Sequence, residues 1–242
     1  MTYSITAKCP RTGQYGVAVS TYSPRVGATV PLVVPNRGAV AFQSVVSPDF
    51  RQMAADLIAT GASADGVLKE LEMKDRFWPS RQVSLVDVTG HAAAYTGAKA
   101  PAHAEHRLGK GFAVAGNVVT DVCVADAFAE FESTQNSGLD LAERLMRGLE
   151  AGARSGGQKE GLTSASLLVY DRYSFATVDL RVDVHDTPVI ELRKVWEFYK
   201  PMVDFYIQRN IDPTGLEKWW QAKMKLTPGW TPNHLVKTIP QQ

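Results

Sequence analysis

The amino-acid order predicts an α+β fold, and within that class a four-layer αββα sandwich of antiparallel sheets covered by helix pairs. Three observations predict it. Apolar residues alternate with period two in short runs joined by tight turn signals, so strands arrive as antiparallel hairpins and not as βαβ units. Between the hairpins, helical periodicity appears twice in adjacent pairs, at about 49–75 and 121–154. The strands are rich in Gly, Ala and Val, which suits two sheets packed closely face to face.

The first strand spans residues 2–8, and Pro10-Arg11-Thr12-Gly13 turns the chain into a second at 14–21, where Val17 and Val19 alternate with smaller residues. A loop holding Pro24 and Gly27 leads to an apolar strand at 30–34; Asn36-Arg37-Gly38 signals a turn, and 39–44 completes four strands. Ser47 followed by Pro48 marks a helix start, because Pro is preorganised for the first helical position and its missing N–H is not needed there. Gly61 ends that helix, and Ser63 caps another through about Lys74, with Val67, Leu68 and Leu71 on one stripe. A second hairpin follows at 81–88 and 91–96. Residues 97–110 read as a long irregular stretch holding His103 and His106, before a short strand at 112–115 that ends at Gly116-Asn117. Helices are predicted over 121–134 and 139–154, the second with Leu141, Leu145 and Leu149 aligned, and Gly156-Gly157 breaks the pattern. Strands at 164–170 and 176–182 close the set, and Thr187-Pro188 opens a long helix through about 208. Residues 1–195 are thus expected to form the αββα domain. Residues 196–242, with Trp196, Trp219, Trp220 and Trp230, are expected to be a helical extension that packs on the core or on a partner subunit of a homo-oligomer, most simply a dimer.

Composition bounds the function. Of 242 residues, 45% are hydrophobic and 21% charged, as in an ordinary globular protein. With 26 basic against 25 acidic side chains the formal charge is +1, which argues against nucleic acid or an anionic membrane as partner and favours a small-molecule substrate. No apolar run approaches the roughly 20 residues that span a bilayer, and no basic then apolar leader opens the chain, so a cytoplasmic location is expected. Cys9 and Cys123 are too few for a disulfide framework and read as small buried hydrophobes.

The first strand holds the sharpest chemical signal. Removal of Met1 ahead of the small Thr2 would leave one residue carrying both a hydroxyl nucleophile and a free α-amine. Such an amine titrates at about 7.7 to 8, close to where a general base is most useful. With Met1 retained, the nitrogen is an amide and cannot serve.

Several short pieces carry a resemblance. They are Thr2-Tyr3-Ser4-Ile5, the run Thr12-Gly13-Gln14-Tyr15-Gly16-Val17-Ala18-Val19, the run from Gly38 to Ser44, Thr96-Gly97, His106, the stretch from Gly109 to Val114, Gly116-Asn117, Ser164-Ala165, and the run from Asp179 to Asp183. In this order and spacing the chain resembles the family of domain of unknown function 1028, within the N-terminal-nucleophile (Ntn) hydrolase-like superfamily, over about residues 2–193. The resemblance implies the αββα fold and a Thr nucleophile at Thr2, and it implies that Gln43 and Ser44 end a strand beside the first one. Asn117, at a strand end after Gly116, is the first candidate to donate to an oxyanion; Ser20 and Ser164, also at strand ends, are candidates to orient the amine or the substrate. His106 suits a substrate pocket, and Arg25 in the Ser23-Pro24-Arg25 loop suits a substrate carboxylate. His103 and His106 make a His-x-x-His pair that falls short of the three protein ligands of a catalytic zinc, so no metal is expected. Asp179, Arg181 and Asp183 read as a charge ladder on one strand face. The Gly pairs at 109/111 and 156/157 lack a phosphate-loop signature, and no cofactor is expected. The expected activity is hydrolysis of a non-peptide C–N bond in a small amide or ureide. The alternative is a non-catalytic small-molecule binding or structural subunit of the same fold that keeps Met1.

Overall fold

The computed structural model describes residues 2–215, which divide into two compact units, one ending at Arg193 and the other starting at Lys194. In chain order the first runs β1 (Thr2–Lys8), β2 (Tyr15–Thr21), the one-turn helix α1 (Val26–Thr29), β3 (Pro31–Val34), β4 (Gly38–Ser44), α2 (Pro48–Ala59) and α3 (Ala64–Lys74). It continues with β5 (Arg81–Val86), β6 (Ala92–Thr96), β7 (Glu105–Gly109), β8 (Phe112–Asn117), α4 (Cys123–Ser133), α5 (Leu141–Arg154), β9 (Ser164–Tyr170), β10 (Ala176–Val182) and the start of α6 (Pro188–Tyr199). All strand pairing is antiparallel, in a six-stranded sheet of order β10-β9-β2-β1-β8-β7 and a four-stranded sheet of order β3-β4-β5-β6.

The strand β1 shows why these residues form these layers. Side chains two apart share a face. Tyr3 and Ile5 turn toward α5, where Tyr3 Oη donates to the Leu149 carbonyl at 2.8 Å. Glycine inside a helix costs about 1 kcal/mol relative to alanine, yet α5 carries Gly148 and Gly152 on this face. A Cβ at Gly152 would lie 2.6 Å from the Tyr3 ring, and one at Gly148 2.5 Å from Ile5 Cδ1, so only glycine lets the helix lie this close to the strand. On its other face β1 meets the second sheet, through Ser4 with Gln43 at 2.7 Å and Thr6 with Ser84 at 3.0 Å. Val17, Val19, Ala39, Ala41, Val86 and Ala113 fill an apolar core that takes residues from both sheets. On the far side of the four-stranded sheet, Val40, Phe42, Val83 and Leu85 pack with Ile58, Val67 and Leu71 of α2 and α3.

Three elements differ from expectation. The helix α1 occupies part of the loop around Gly27, and β7 takes up the second half of the stretch 97–110. The long helix expected to run through about 208 is interrupted: α6 stops at Tyr199, a single 3₁₀ turn covers Lys200–Met202, and α7 (Val203–Ile211) follows. Pro201 explains the break, because it has no N–H for the helical ladder and its ring crowds the preceding turn. At the cap positions, Ser63 accepts from the Gly66 N–H at 3.2 Å, whereas Ser47 precedes Pro48 without a side-chain capping bond.

In the second unit, Tyr199 and Tyr206 stack at 5.6 Å, Phe205 meets Tyr206 edge-on at 5.1 Å, and Arg209 lies over the Tyr206 ring. Trp219, Trp220 and Trp230, central to the expected oligomer contact, lie outside the described residues, as does Met1. Among the described residues no helix is long and apolar enough to cross a membrane.

Candidate active site

Strand register assembles the site. Thr2 is paired with Thr21 on one side and with Asn117 on the other, and Thr21 is paired in turn with Ser164. Directly opposed residues share a face, so Ser164, Thr21, Thr2 and Asn117 form one polar row across four neighbouring strands. That row faces the second sheet, as Ser4 and Thr6 do. Thr2 Oγ1 lies 3.1 Å from Thr21 Oγ1, with Thr2 only 6% exposed and Asn117 fully buried. Ser164 Oγ is committed to the backbone: it donates to the Ser23 carbonyl at 2.6 Å and accepts from the Val26 N–H at 3.1 Å, which holds the loop into α1.

A chain of buried amides lies beside the row. Ser4 Oγ donates to Gln43 Oε1 at 2.7 Å, and Gln43 Nε2 donates to Gln82 Oε1 at 2.8 Å and to the Ala115 carbonyl at 3.3 Å. Asn117 Nδ2 donates to the same Gln82 oxygen at 2.9 Å. Gln82 Nε2 lies 2.9 Å from the Gly116 carbonyl, 3.1 Å from the Glu105 carbonyl and 3.0 Å from Thr96 Oγ1. Thr96 Oγ1 is 2.8 Å from His106 Nδ1, so the chain ends at the imidazole. Burial pushes the His106 pKa down, opposed by the charge of Glu105.

The backbone is strained where the strands end. Ser44 at the end of β4 has φ 71°, and Val118, one residue past β8, has φ 54°. A β-branched residue in the left-handed region is a genuine outlier. Such conformations cost about 1–3 kcal/mol each and cluster at functional sites. Arg81, in a buried ion pair with Asp75 at 2.7 Å, also donates to the Val45 carbonyl and so fixes the chain just past Ser44. Two polar atoms in this region have no hydrogen-bond partner although buried: Ser44 Oγ and Asn117 Oδ1.

Of the residues singled out in the sequence, Thr2, Asn117, Ser164, Gln43 and His106 fall on the row or its amide chain. Ser44 adjoins Gln43 at the same strand end. Ser20 does not join them. It is paired with Tyr3, on the helix-facing side of the sheet, and donates to the Ser164 carbonyl at 2.9 Å. Arg25 is exposed at φ 55° in the loop before α1. His103 and His106 do not share a helical turn: His106 is in β7, while His103 lies before it at φ 57° and pairs with Asp121 at 2.7 Å. Together with Glu105, Val119 and Thr120, that pair lines a cleft of about 220 Å³. Asp179 and Arg181 form part of the expected ladder at 3.0 Å, whereas Asp183, its third member, lies past the end of β10. Sequence reasoning missed Gln82, Thr21 and Thr96. The available signal was alternation, since Gln82 and Ser84 sit on the face opposite Val83 and Leu85.

The model of a family described as "Family of unknown function (DUF1028)" matches residues 2–192. Among solved structures, protein SPO2555 from Silicibacter pomeroyi, whose crystal structure carries the same family model, is 26% identical with a TM-score of 0.74, over 82% of this chain and 88% of that one. Anbu (ancestral beta-subunit) from Yersinia bercovieri is 12% identical with a TM-score of 0.42, over 85% of this chain and 97% of that one. An Anbu (Gly-1) mutant from Hyphomicrobium sp. strain MC1 has the same identity, 12%, and TM-score, 0.42, over 81% and 94%. Likeness at the level of the two Anbu structures says nothing about chemistry. No curated protein matches.

Proposed function

The chain belongs to the family of unknown function DUF1028, and for it we propose an Ntn-type amidohydrolase that cleaves a non-peptide C–N bond of a small amide or ureide through Thr2. The observation that carries this reading is the row Ser164, Thr21, Thr2, Asn117, which puts a hydroxyl at the end of a central strand between a hydroxyl partner and a buried carboxamide. The layering is read as an αββα sandwich; the helix α5 against Tyr3 and Ile5, and α2 and α3 against the far face of the other sheet, support it.

With Met1 removed, Thr2 Oγ attacks the carbonyl carbon and its proton passes to the α-amine, directly or through a water. The resulting oxyanion takes hydrogen bonds from Asn117 Nδ2, which has a second hydrogen beyond the one given to Gln82, and from a backbone N–H. Collapse breaks the C–N bond, and the α-ammonium returns the proton to the leaving nitrogen. Water then hydrolyses the Thr2 ester by the same route, releasing the acid. In this reading Gln43 steadies Ser4, which shares a strand face with the nucleophile two residues away, Ser44 follows Gln43 at the strand end, and His106 contributes to the substrate pocket.

Intact mass decides the first requirement, since the active form must lack Met1. Thr2→Ala is expected to abolish turnover and the acyl adduct while leaving the fold intact, and Thr2→Ser to retain some activity. Asn117→Ala is expected to lose about 10²- to 10³-fold in kcat, as for other oxyanion donors. The rate should rise with pH through the amine pKa of about 7.7 to 8. Full activity of Thr2→Ala on a verified amide would refute the assignment. The low exposure of Thr2, 6%, favours the second reading, a non-catalytic binding subunit, for any form in which Met1 is retained.

A further inference from the structure

The orientation of the Asn117 carboxamide follows from backbone groups alone. The carbonyls of Gly116 and Glu105 can only accept, so the end of Gln82 that lies 2.9 Å and 3.1 Å from them must be its nitrogen. Gln82 therefore offers its oxygen to its remaining neighbours, and both must bring an N–H. Gln43 is fixed independently in the same sense, because its Nε2 also faces the Ala115 carbonyl. Rotating the Asn117 amide by half a turn would set oxygen against oxygen at 2.9 Å. Its Nδ2 is thus held on Gln82, and its Oδ1, in a side chain with no exposure, is left as an unpaired acceptor. Buried acceptors are almost always paired, so this one calls for a donor from outside the network.

Resting on the Thr2 reading above, we propose that Asn117 Oδ1 accepts a hydrogen bond from an N–H of the substrate. The site then takes a primary or secondary amide or ureide and discriminates against the corresponding ester and tertiary amide. Gln82 is the positioning residue that makes the discrimination possible. A pocket oxygen that must receive a hydrogen bond penalises an analogue without the donor more heavily than it rewards the match, because the acceptor is then buried unpaired.

The test uses the full chain with Thr2→Ala, labelled with ¹³C and ¹⁵N, so that no covalent chemistry intervenes. The Asn117 side-chain carbonyl carbon, identified through its own amide protons, is followed while acetamide, N,N-dimethylacetamide or methyl acetate is added. Acetamide is expected to move it downfield, as hydrogen bonding to a carbonyl oxygen does, and the two probes without N–H are expected to leave it in place. An equal response to all three probes, or none to acetamide up to its solubility limit, overturns the proposal. So does a shift in the unsubstituted protein on removal of Met1 with no further response to acetamide, which would make the Thr2 amine the donor. The nucleophile reading fails separately, if Asn117 responds to acetamide as expected but the unsubstituted protein without Met1 acquires no acyl group on Thr2 from p-nitroacetanilide, an activated amide that carries an N–H.

Discussion

His106 accepts from or donates to Thr96 Oγ1 at 2.8 Å, and burial holds its pKa below the ordinary 6.5 against the opposing charge of Glu105. The unfolded chain therefore protonates this histidine first as the pH falls. In the window between the lowered folded value and about 6.5, the unfolded state binds more protons, so stability rises with pH there. The contribution is fully present above about 6.5 and is lost as pH falls through the folded value. Urea unfolding at about pH 5 and about pH 7.5 checks this: the native chain should lose more stability at the lower pH than His106→Gln does. Equal losses would mean that the imidazole titrates freely. The carboxylate of Asp87, also lowered in pKa by its hydrogen bonds, is common to both chains and cancels. At this scale the sequence was only partly legible. Thr2 and Asn117 stand out because a polar residue at a strand end invites attention, whereas Gln82 looks like the polar half of an ordinary alternating strand. Its importance comes from contacts with β4, β6, β7 and β8, and no local pattern reports them.

The hairpins and helix pairs were legible because period two, period 3.6, and Gly or Pro punctuation are local properties. β7 was not, since Glu105-His106-Arg107-Leu108-Gly109 has no apolar alternation; as an edge strand it pairs with β8 alone and shows Leu108 to solvent. Charged, short edges of this kind also resist pairing with other chains. The break between α6 and α7 was legible in Pro201, a helix-breaking residue inside the stretch read as one long helix. The helix α5 offers the sharpest test at this scale. Replacing Gly152 by valine drives new methyl groups into the Tyr3 ring, against a backbone already 2.6 Å from the nearest ring carbon at the Cβ position. Overpacking of this kind costs about 1–3 kcal/mol, so a lower thermal midpoint is expected. If Gly152→Val melts at the native temperature, α5 does not lie on β1 as described.

Taken as a whole, the chain closes its sheet late. β1 is flanked by residues 15–21 on one side and 112–117 on the other, and β9, which continues the Thr2 row, comes from residues 164–170. A ribosome adding about 5–20 residues each second leaves the first strand without its β8 neighbour for several seconds at least. Once the sheet is complete, Thr2 is 6% exposed. Burial of that residue leads us to expect that its amine is freed on the growing chain, before β8 pairs with β1, and that a molecule folded with Met1 attached stays unprocessed. Folded protein carrying Met1 should resist methionine aminopeptidase, while the same protein in urea at a concentration that the peptidase tolerates should be trimmed; equal trimming would place the maturation step after folding. The position of one neighbouring strand, some hundred residues downstream, would in that way set a deadline for the chemistry of the first residue.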